Sequence, residues 1–156
     1  NYAACNLAEK QAQAQGFTQV LWLDAVERKY IEEVGSMNIF FVIDDEIVTP
    51  QLNGTILPGI TRKSVLELAR HWDLKTSERR ISIDEVLEGL ESGRVSEVFG
   101  AGTAAVISPV GLLHYRGQSS QVGDGQTGPV AKRFFQHLTA IQYGRENDPF
   151  GWVETV

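Results

Sequence analysis

The sequence predicts an α+β fold, an irregular α/β domain in which helices and strands mix without a repeating unit. Three observations carry that expectation. Apolar residues recur with helical period in several separate stretches, short apolar runs lie between them, and Gly and Pro punctuate the chain at irregular intervals. With 156 residues, 42% of them hydrophobic, and no linker or low-complexity segment, the chain has enough apolar side chains for one core.

Residues 3–15 are rich in Ala and Gln, with Leu7 and Ala14 at helical spacing, and Gly16 closes them as a C-cap would. "QVLWLDA" is a short apolar strand. "SMNIFFVIDDEIVTPQL" reads as two strands joined at Asp44-Asp45, which has the turn chemistry of a hairpin. From Thr61 the residues Val65, Leu66, Leu68, Ala69 and Trp72 predict a helix entered through the glycine of "LPG". "SERRISI" is an exposed strand. Ile83, Val86, Leu87 and Leu90 then mark a short helix, which Asp84 and Glu85 favour at its start and Gly93 ends. "VSEVFGAGTAAVISPVGLLHYRG" predicts a strand, a glycine turn and a second strand, with Pro109 and Gly111 interrupting before one last strand. A helix over 129–143 follows, with Pro129 in its first turn and Val130, Phe134, Leu138 and Ile141 along one face.

A net charge of −6, a pI near 5.0 and fourteen scattered Lys and Arg residues argue against a nucleic-acid partner. No apolar stretch approaches the roughly 20 residues that span a bilayer, and a single cysteine, Cys5, suits a reducing compartment, so a cytoplasmic setting is expected. His71, His114 and His137 lack metal-ligand spacing, and no metal site is expected. "GDGQTG" satisfies G-x-G-x-x-G, yet no later strand brings an acidic residue, so it reads as a loop.

Two turns could hold an anion. "LPGITR" places Gly59, Ile60 and Thr61 at a helix N-terminus, where free N–H groups attract a phosphate; a plain helix entry is the alternative. "FGAGTAAV" offers amides around Gly100, Gly102, Thr103 and Ala104, or simply a tight turn. "KYIEEVGSMNIFF" poses a different problem, because Glu32 and Glu33 run straight into an apolar strand. Carboxylates are rarely left inside a protein without a partner, and a cation from elsewhere would resolve the difficulty.

Taken in order, "NYAACNLAEKQAQAQGFTQVLWLD", "IEEVGSMNIFFV", "LNGTILPGITRKSVLELA", "RVSEVFGAGTAAVISPVG" and "GPVAKRFFQHLTAIQYG" with "PFGW" resemble the branched-chain amino-acid aminotransferases. These are pyridoxal-phosphate enzymes of fold type IV, and the resemblance covers nearly the whole chain. "LPGITR" is also similar to what D-amino-acid aminotransferases and aminodeoxychorismate lyases carry, whereas "EEVGSMNIFF", "IQYG" and "PFGW" are more particular to the branched-chain enzymes.

The resemblance implies that residues 1–156 are the large C-terminal, pyridoxal 5'-phosphate-binding domain, of the D-amino-acid aminotransferase-like type. Glu33 would pair with the protonated pyridine nitrogen, supplying the cation that the sequence demands; Glu32 would face the other way. Tyr2 would bond the ring's 3-hydroxyl oxygen. Gly59, Ile60 and Thr61 would form the phosphate cup, with Thr103 as a further contact. Thr103 and Ala104 would hold the substrate carboxylate, and Ser36 and Asn38 would support Glu33. The substrates implied are leucine, isoleucine and valine with 2-oxoglutarate and glutamate, in a homodimer.

Two departures from the family pattern stand out, one in what precedes Asn1 in the family and one after the Gly-Thr-Ala turn. The Schiff-base lysine of the family lies a few residues before Asn1, and Lys10, Lys29, Lys63, Lys75 and Lys132 occupy other contexts. The smaller N-terminal domain is also missing, so the chain is expected to carry much of the cofactor cradle yet not to turn over by itself. The Cys-x-x-Cys redox pair of some mammalian relatives is replaced by Ala105 and Ser108. The same sequence also admits a non-catalytic ligand-binding or assembly domain, with Glu33 a salt-bridged acid.

Overall fold

A computed structural model of the chain describes residues 5–154. α1 (Asn6–Ala14) ends as expected at a glycine. Gly16 adopts φ 86°, and the N–H groups of Gly16 and Phe17 return to the carbonyls of Gln13 and Ala12, so the last turn is closed by a Schellman motif. β1 (Leu21–Leu23), β2 (Ile31–Val34), β3 (Met37–Ile43) and β4 (Glu46–Pro50) then run as an antiparallel meander. Asp44 and Asp45, with φ 49° and 62°, make the two-residue β3–β4 turn, since a type I′ hairpin needs positive φ at both central positions.

α2 (Ile60–His71) crosses over to β5 (Thr76–Arg79), which pairs parallel with β4. The chain leaving β5 bonds back onto the start of β2: the Ile31 N–H donates to the Ile81 carbonyl and the Ile83 N–H to the Lys29 carbonyl, both at 2.9 Å. β2, β3, β4 and β5 therefore close into a ring. α3 (Ile83–Glu91) follows, then β6 (Val95–Gly102) along the free edge of β3 and β7 (Val106–Pro109) beside β6.

Where a single last strand is expected, the chain makes two, β8 (Leu112–Tyr115) and β9 (Gln118–Gln121), as a separate hairpin. Three of the four β9 residues are exposed, so its polar sequence carries no apolar alternation to read. Residues 123–128 form the expected loop before α4 (Pro129–Gln142).

β3 is buried on both faces, which is why "NIFFVI" shows no polar alternation. Ile39, Phe41 and Ile43 pack in one cluster with Val86 of α3, while Phe40 and Val42 pack in another with α2 and α4. α4 starts under an unforeseen cap. Glu97 of β6 is only 6% exposed, and its carboxylate accepts the N–H groups of Val130 (2.8 Å) and Ala131 (2.9 Å). It neutralises two otherwise unpaired donors at the positive end of the helix. Among the described residues no helix is long and apolar enough to cross a membrane.

Two local devices hold the start of the ring. Ser82 caps α3 by accepting the Glu85 N–H at 3.0 Å, and Ser82→Ala is expected to cost about 1 kcal/mol in urea unfolding. Asp24 organises the β1–β2 loop by accepting the N–H groups of Glu27 (2.6 Å), Lys29 (2.9 Å) and Tyr30 (2.8 Å). These backbone donors, Tyr30 foremost, lower its pKa from 3.8 to about 2. A depressed carboxyl stabilises the fold above its unfolded pKa, and the contribution disappears as pH falls from 3.8 toward about 2. Asp24→Asn should lower stability at neutral pH and flatten that acid limb, as urea titrations at stepped pH would report.

Candidate functional site: a carboxylate tied to a helix start

The β2–β3 turn at Gly35-Ser36 folds Glu33 opposite Asn38, and Asn38 lies opposite Ala101 of β6. Glu33, Asn38 and Ala101 therefore form a row on one face of the sheet. Further along that face Phe40, Val42 and Phe99 pack in the cluster shared with α2 and α4. The row marks the end of the face at which α2 begins.

Leu57, in the loop that leads to α2, ties the two together. Its N–H donates to Glu33 Oε1 at 3.2 Å, and Asn38 Nδ2 donates both to the Leu57 carbonyl (2.8 Å) and to Glu33 Oε1 (3.3 Å). Gly59 is required next, because a Cβ there would collide with Asn38 Oδ1. The helix then starts with Gly59 as N-cap and no side-chain cap. The N–H groups of Ile60, Thr61 and Arg62 precede the first helical bond, from Lys63 N–H to the Gly59 carbonyl. Ile60 is 78% exposed and Leu57 64%, so this amide-bearing end opens to solvent.

The third component is the β6–β7 loop. Gly102 and Val106 close it, leaving Thr103, Ala104 and Ala105 exposed. Val106 has φ 58°, a left-handed conformation unfavourable for a β-branched residue, so the loop is held in a strained shape by the strands on either side. Gly100 and Gly102, expected to supply turn amides, are instead paired within β6. Their smallness serves the opposite face, where a Cβ on either would come within 2.9 Å of Met37 side-chain atoms.

Of the residues singled out in the sequence, Glu33, Asn38 and Gly59 are thus in one cluster, Ile60 and Thr61 follow Gly59 directly, and Thr103 and Ala104 extend from Ala101 beside it. Ser36 is exposed in its turn and makes no hydrogen bond to Glu33 among the described residues. Tyr2 lies outside the described residues. Glu32 does face away, and accepts the Thr55 hydroxyl at 2.5 Å. The Leu57 peptide had no signature in the sequence, because backbone groups carry none.

Glu33 is half-buried, and among the described residues no Lys or Arg forms a salt bridge with it. Burial is the largest influence on its carboxyl and pushes the pKa above the ordinary value; the Leu57 N–H lowers it by less, and Glu32 adds to the rise. A cavity of about 540 Å³ lies on the opposite face beneath α1, lined by residues such as Val34, Met37, Leu21 and Leu113. Neither Glu33 nor the two candidate anion loops line it, so the convergence of polar groups locates the site.

Residues 1–113 match the family described as amino-transferase class IV. The chain belongs to the class IV aminotransferase family. Among its relatives in that family, branched-chain-amino-acid aminotransferase 2 of Bacillus subtilis (strain 168) is 54% identical over the whole chain, which spans 43% of that protein. Branched-chain-amino-acid transaminase 1 of the same organism is 53% identical, also over the whole chain and 44% of the relative. Among solved class IV folds, branched-chain amino acid aminotransferase from Escherichia coli superposes with TM-score 0.81 at 34% identity, covering 99% of this chain and 48% of that one. A second solved branched-chain amino acid aminotransferase, complexed with N-(5'-phosphopyridoxyl)-L-glutamate, gives 0.82 at 32%, covering 98% and 47%. The chain thus spans less than half the length of the relatives it matches.

Proposed function

We propose that this chain is the cofactor-binding part of a branched-chain amino-acid aminotransferase, transferring amino groups between leucine, isoleucine or valine and 2-oxoglutarate. The observation that carries the reading is Glu33, a half-buried acid without a basic partner among the described residues, tied through Leu57 to an uncapped helix start. The residues fit pyridoxal 5'-phosphate. Glu33 Oε1 already accepts two protein donors, which leaves Oε2 to meet the protonated pyridine nitrogen. The Ile60 and Thr61 amides and the Thr61 hydroxyl would take the phosphate, with Thr103 as a further donor. The exposed Thr103-Ala104 turn would receive the substrate carboxylate, the group every amino-acid substrate presents.

Bound there, the cofactor supplies the electron sink that transamination needs. Glu33 keeps the ring nitrogen charged, Asn38 and Leu57 hold Glu33 in place, and the α2 amides orient the phosphate. Tyr2 would address the ring hydroxyl oxygen. The Schiff-base lysine and the smaller domain belong to the remainder of the intact enzyme, a cytoplasmic homodimer in this reading. Two of the similar solved aminotransferases, one holding the phosphopyridoxyl-glutamate adduct and one with pyridoxamine 5'-phosphate, support the choice of cofactor.

The deciding experiment compares L-leucine with D-alanine as donor to 2-oxoglutarate, using the intact protein that contains this chain. Turnover with L-leucine is expected. Preference for D-alanine would move the protein to the D-amino-acid branch of the family, and no binding of cofactor would leave Glu33 a structural acid.

A further inference from the structure

Arg62 is the third residue of α2, and with Val65, Leu66 and Ala69 it occupies the buried face of that helix. Its side chain is 5% exposed. One guanidinium nitrogen, Nη2, donates to the Pro50 carbonyl at the end of β4 (2.9 Å) and to Glu78 Oε2 of β5 (2.8 Å); Nε is buried without a partner. Packing alone does not explain an arginine here, since a leucine or methionine would fill the position without desolvating a charge or orphaning an N–H. What a guanidinium adds is direction. Through that single nitrogen it ties the helix to two adjacent strands, Thr49 and Pro50 of β4 lying opposite Glu78 and Arg79 of β5.

At the entry to the same helix, Asn38 grips Leu57 and crowds Gly59, whose added Cβ would lie 3.7 Å from Arg62 Cβ. The entry to α2 is therefore held twice, by Asn38 reaching from β3 to Leu57 and by Arg62 reaching from the helix to β4 and β5.

We propose that Arg62 is a positioning residue for the anion-binding turn, holding the Ile60 and Thr61 amides at the angle that receives a phosphate beside Glu33. The inference rests on the cofactor reading above. It assigns to Arg62 no contact with the ligand; the residue acts through the backbone of the turn it anchors. Glu78 completes the anchor, and Arg70 approaches the same carboxylate at 3.4 Å from the next turns of the helix.

The test measures the affinities of the intact protein for pyridoxal 5'-phosphate and for pyridoxal, which differ only in the phosphate. In Arg62→Met, which keeps the volume but removes both hydrogen bonds, the phosphate form should bind about tenfold or more weakly, and Arg62→Lys, which keeps one charged nitrogen on a shorter stem, should fall between Met and wild type. Affinity for pyridoxal should change little, so the ratio of the two affinities collapses toward one. Glu78→Gln, which preserves the Pro50 bond, should give a smaller change in the same direction and serves if the Arg62 variants do not fold. An unchanged ratio in these variants, whatever happens to their melting temperature, would overturn the proposal, since a merely structural arginine alters stability alone. A wild-type protein that binds the two ligands equally would instead overturn the cofactor reading beneath it.

Discussion

Glu33→Gln in the intact enzyme is expected to lower kcat/KM for L-leucine by about a hundredfold to a thousandfold, the range seen when a preorganised electrostatic partner is removed from a shielded site. Glutamine retains the size of the side chain and an oxygen for the Asn38 and Leu57 donors, so the local hydrogen bonds survive. What it removes is the negative charge that keeps a ring nitrogen protonated.

The same substitution has an opposite effect on stability. The Glu33 carboxyl is raised above its unfolded value, chiefly by burial, so the cofactor-free fold holds that proton more tightly than the unfolded chain does. Its ionisation therefore costs stability as pH rises through the interval between the two values, and the cost remains in force above it. Cofactor-free Glu33→Gln should accordingly melt no lower than wild type at neutral pH. Loss of activity in a variant of undiminished stability would assign the effect to chemistry; activity within about threefold of wild type would remove Glu33 from the mechanism.

Phe99→Ala should be the most damaging single change to the fold, costing about 3–5 kcal/mol. Phe99 is fully buried in β6, stacked on Phe40 of β3 with centroids 5.3 Å apart and tilted against Phe134 of α4 at 5.9 Å. Truncation would leave a cavity where the sheet meets its covering helices, and the rings around it are held by a paired strand and a packed helix that cannot close in. Since a domain is stable by only about 5–15 kcal/mol, a large part of the folding free energy would go. Urea unfolding followed by far-UV circular dichroism measures it, and a change below about 1 kcal/mol would mean that the cluster repacks or that β6 does not lie against β3 as described.

Ser82→Ala differs from Phe99→Ala in what is lost. At Ser82 it is one hydrogen bond at a helix end, which water can partly replace, and the expected effect is correspondingly smaller. Burial, and the inability of neighbours to relax, sets the difference between the two sites.

What was legible in the sequence follows from the reach of each signal. The uninterrupted apolar run of β3 reported burial on both faces, Asp44-Asp45 reported a hairpin through the backbone conformations those residues tolerate, and Gly16 and Pro129 marked helix ends. The family motifs placed Glu33 and the α2 turn in one site, and the geometry does bring them together through Leu57. Gly100 and Gly102 lie within β6 rather than in the turn, and the reason is a neighbour on another strand. Glycine serves both in a turn and where side chains pack closely, and only the position of Met37 across the sheet shows that close packing is the use here.

The sequence by itself determined the local structure and the chemical repertoire: which segments bury a face, where the chain turns, and which acid and which helix start were candidates for a ligand. Those properties depend on residues within a few positions of one another, so periodicity and turn chemistry carry them. Tertiary structure alone decided that residues 81–83 close the ring on β2, that Glu97 caps a helix beginning at Pro129, and that Asn38 and Arg62 both fix the entry to α2. These contacts join residues far apart in the chain, and their partners are chosen by strand register and by the burial of whole faces, which no local pattern encodes.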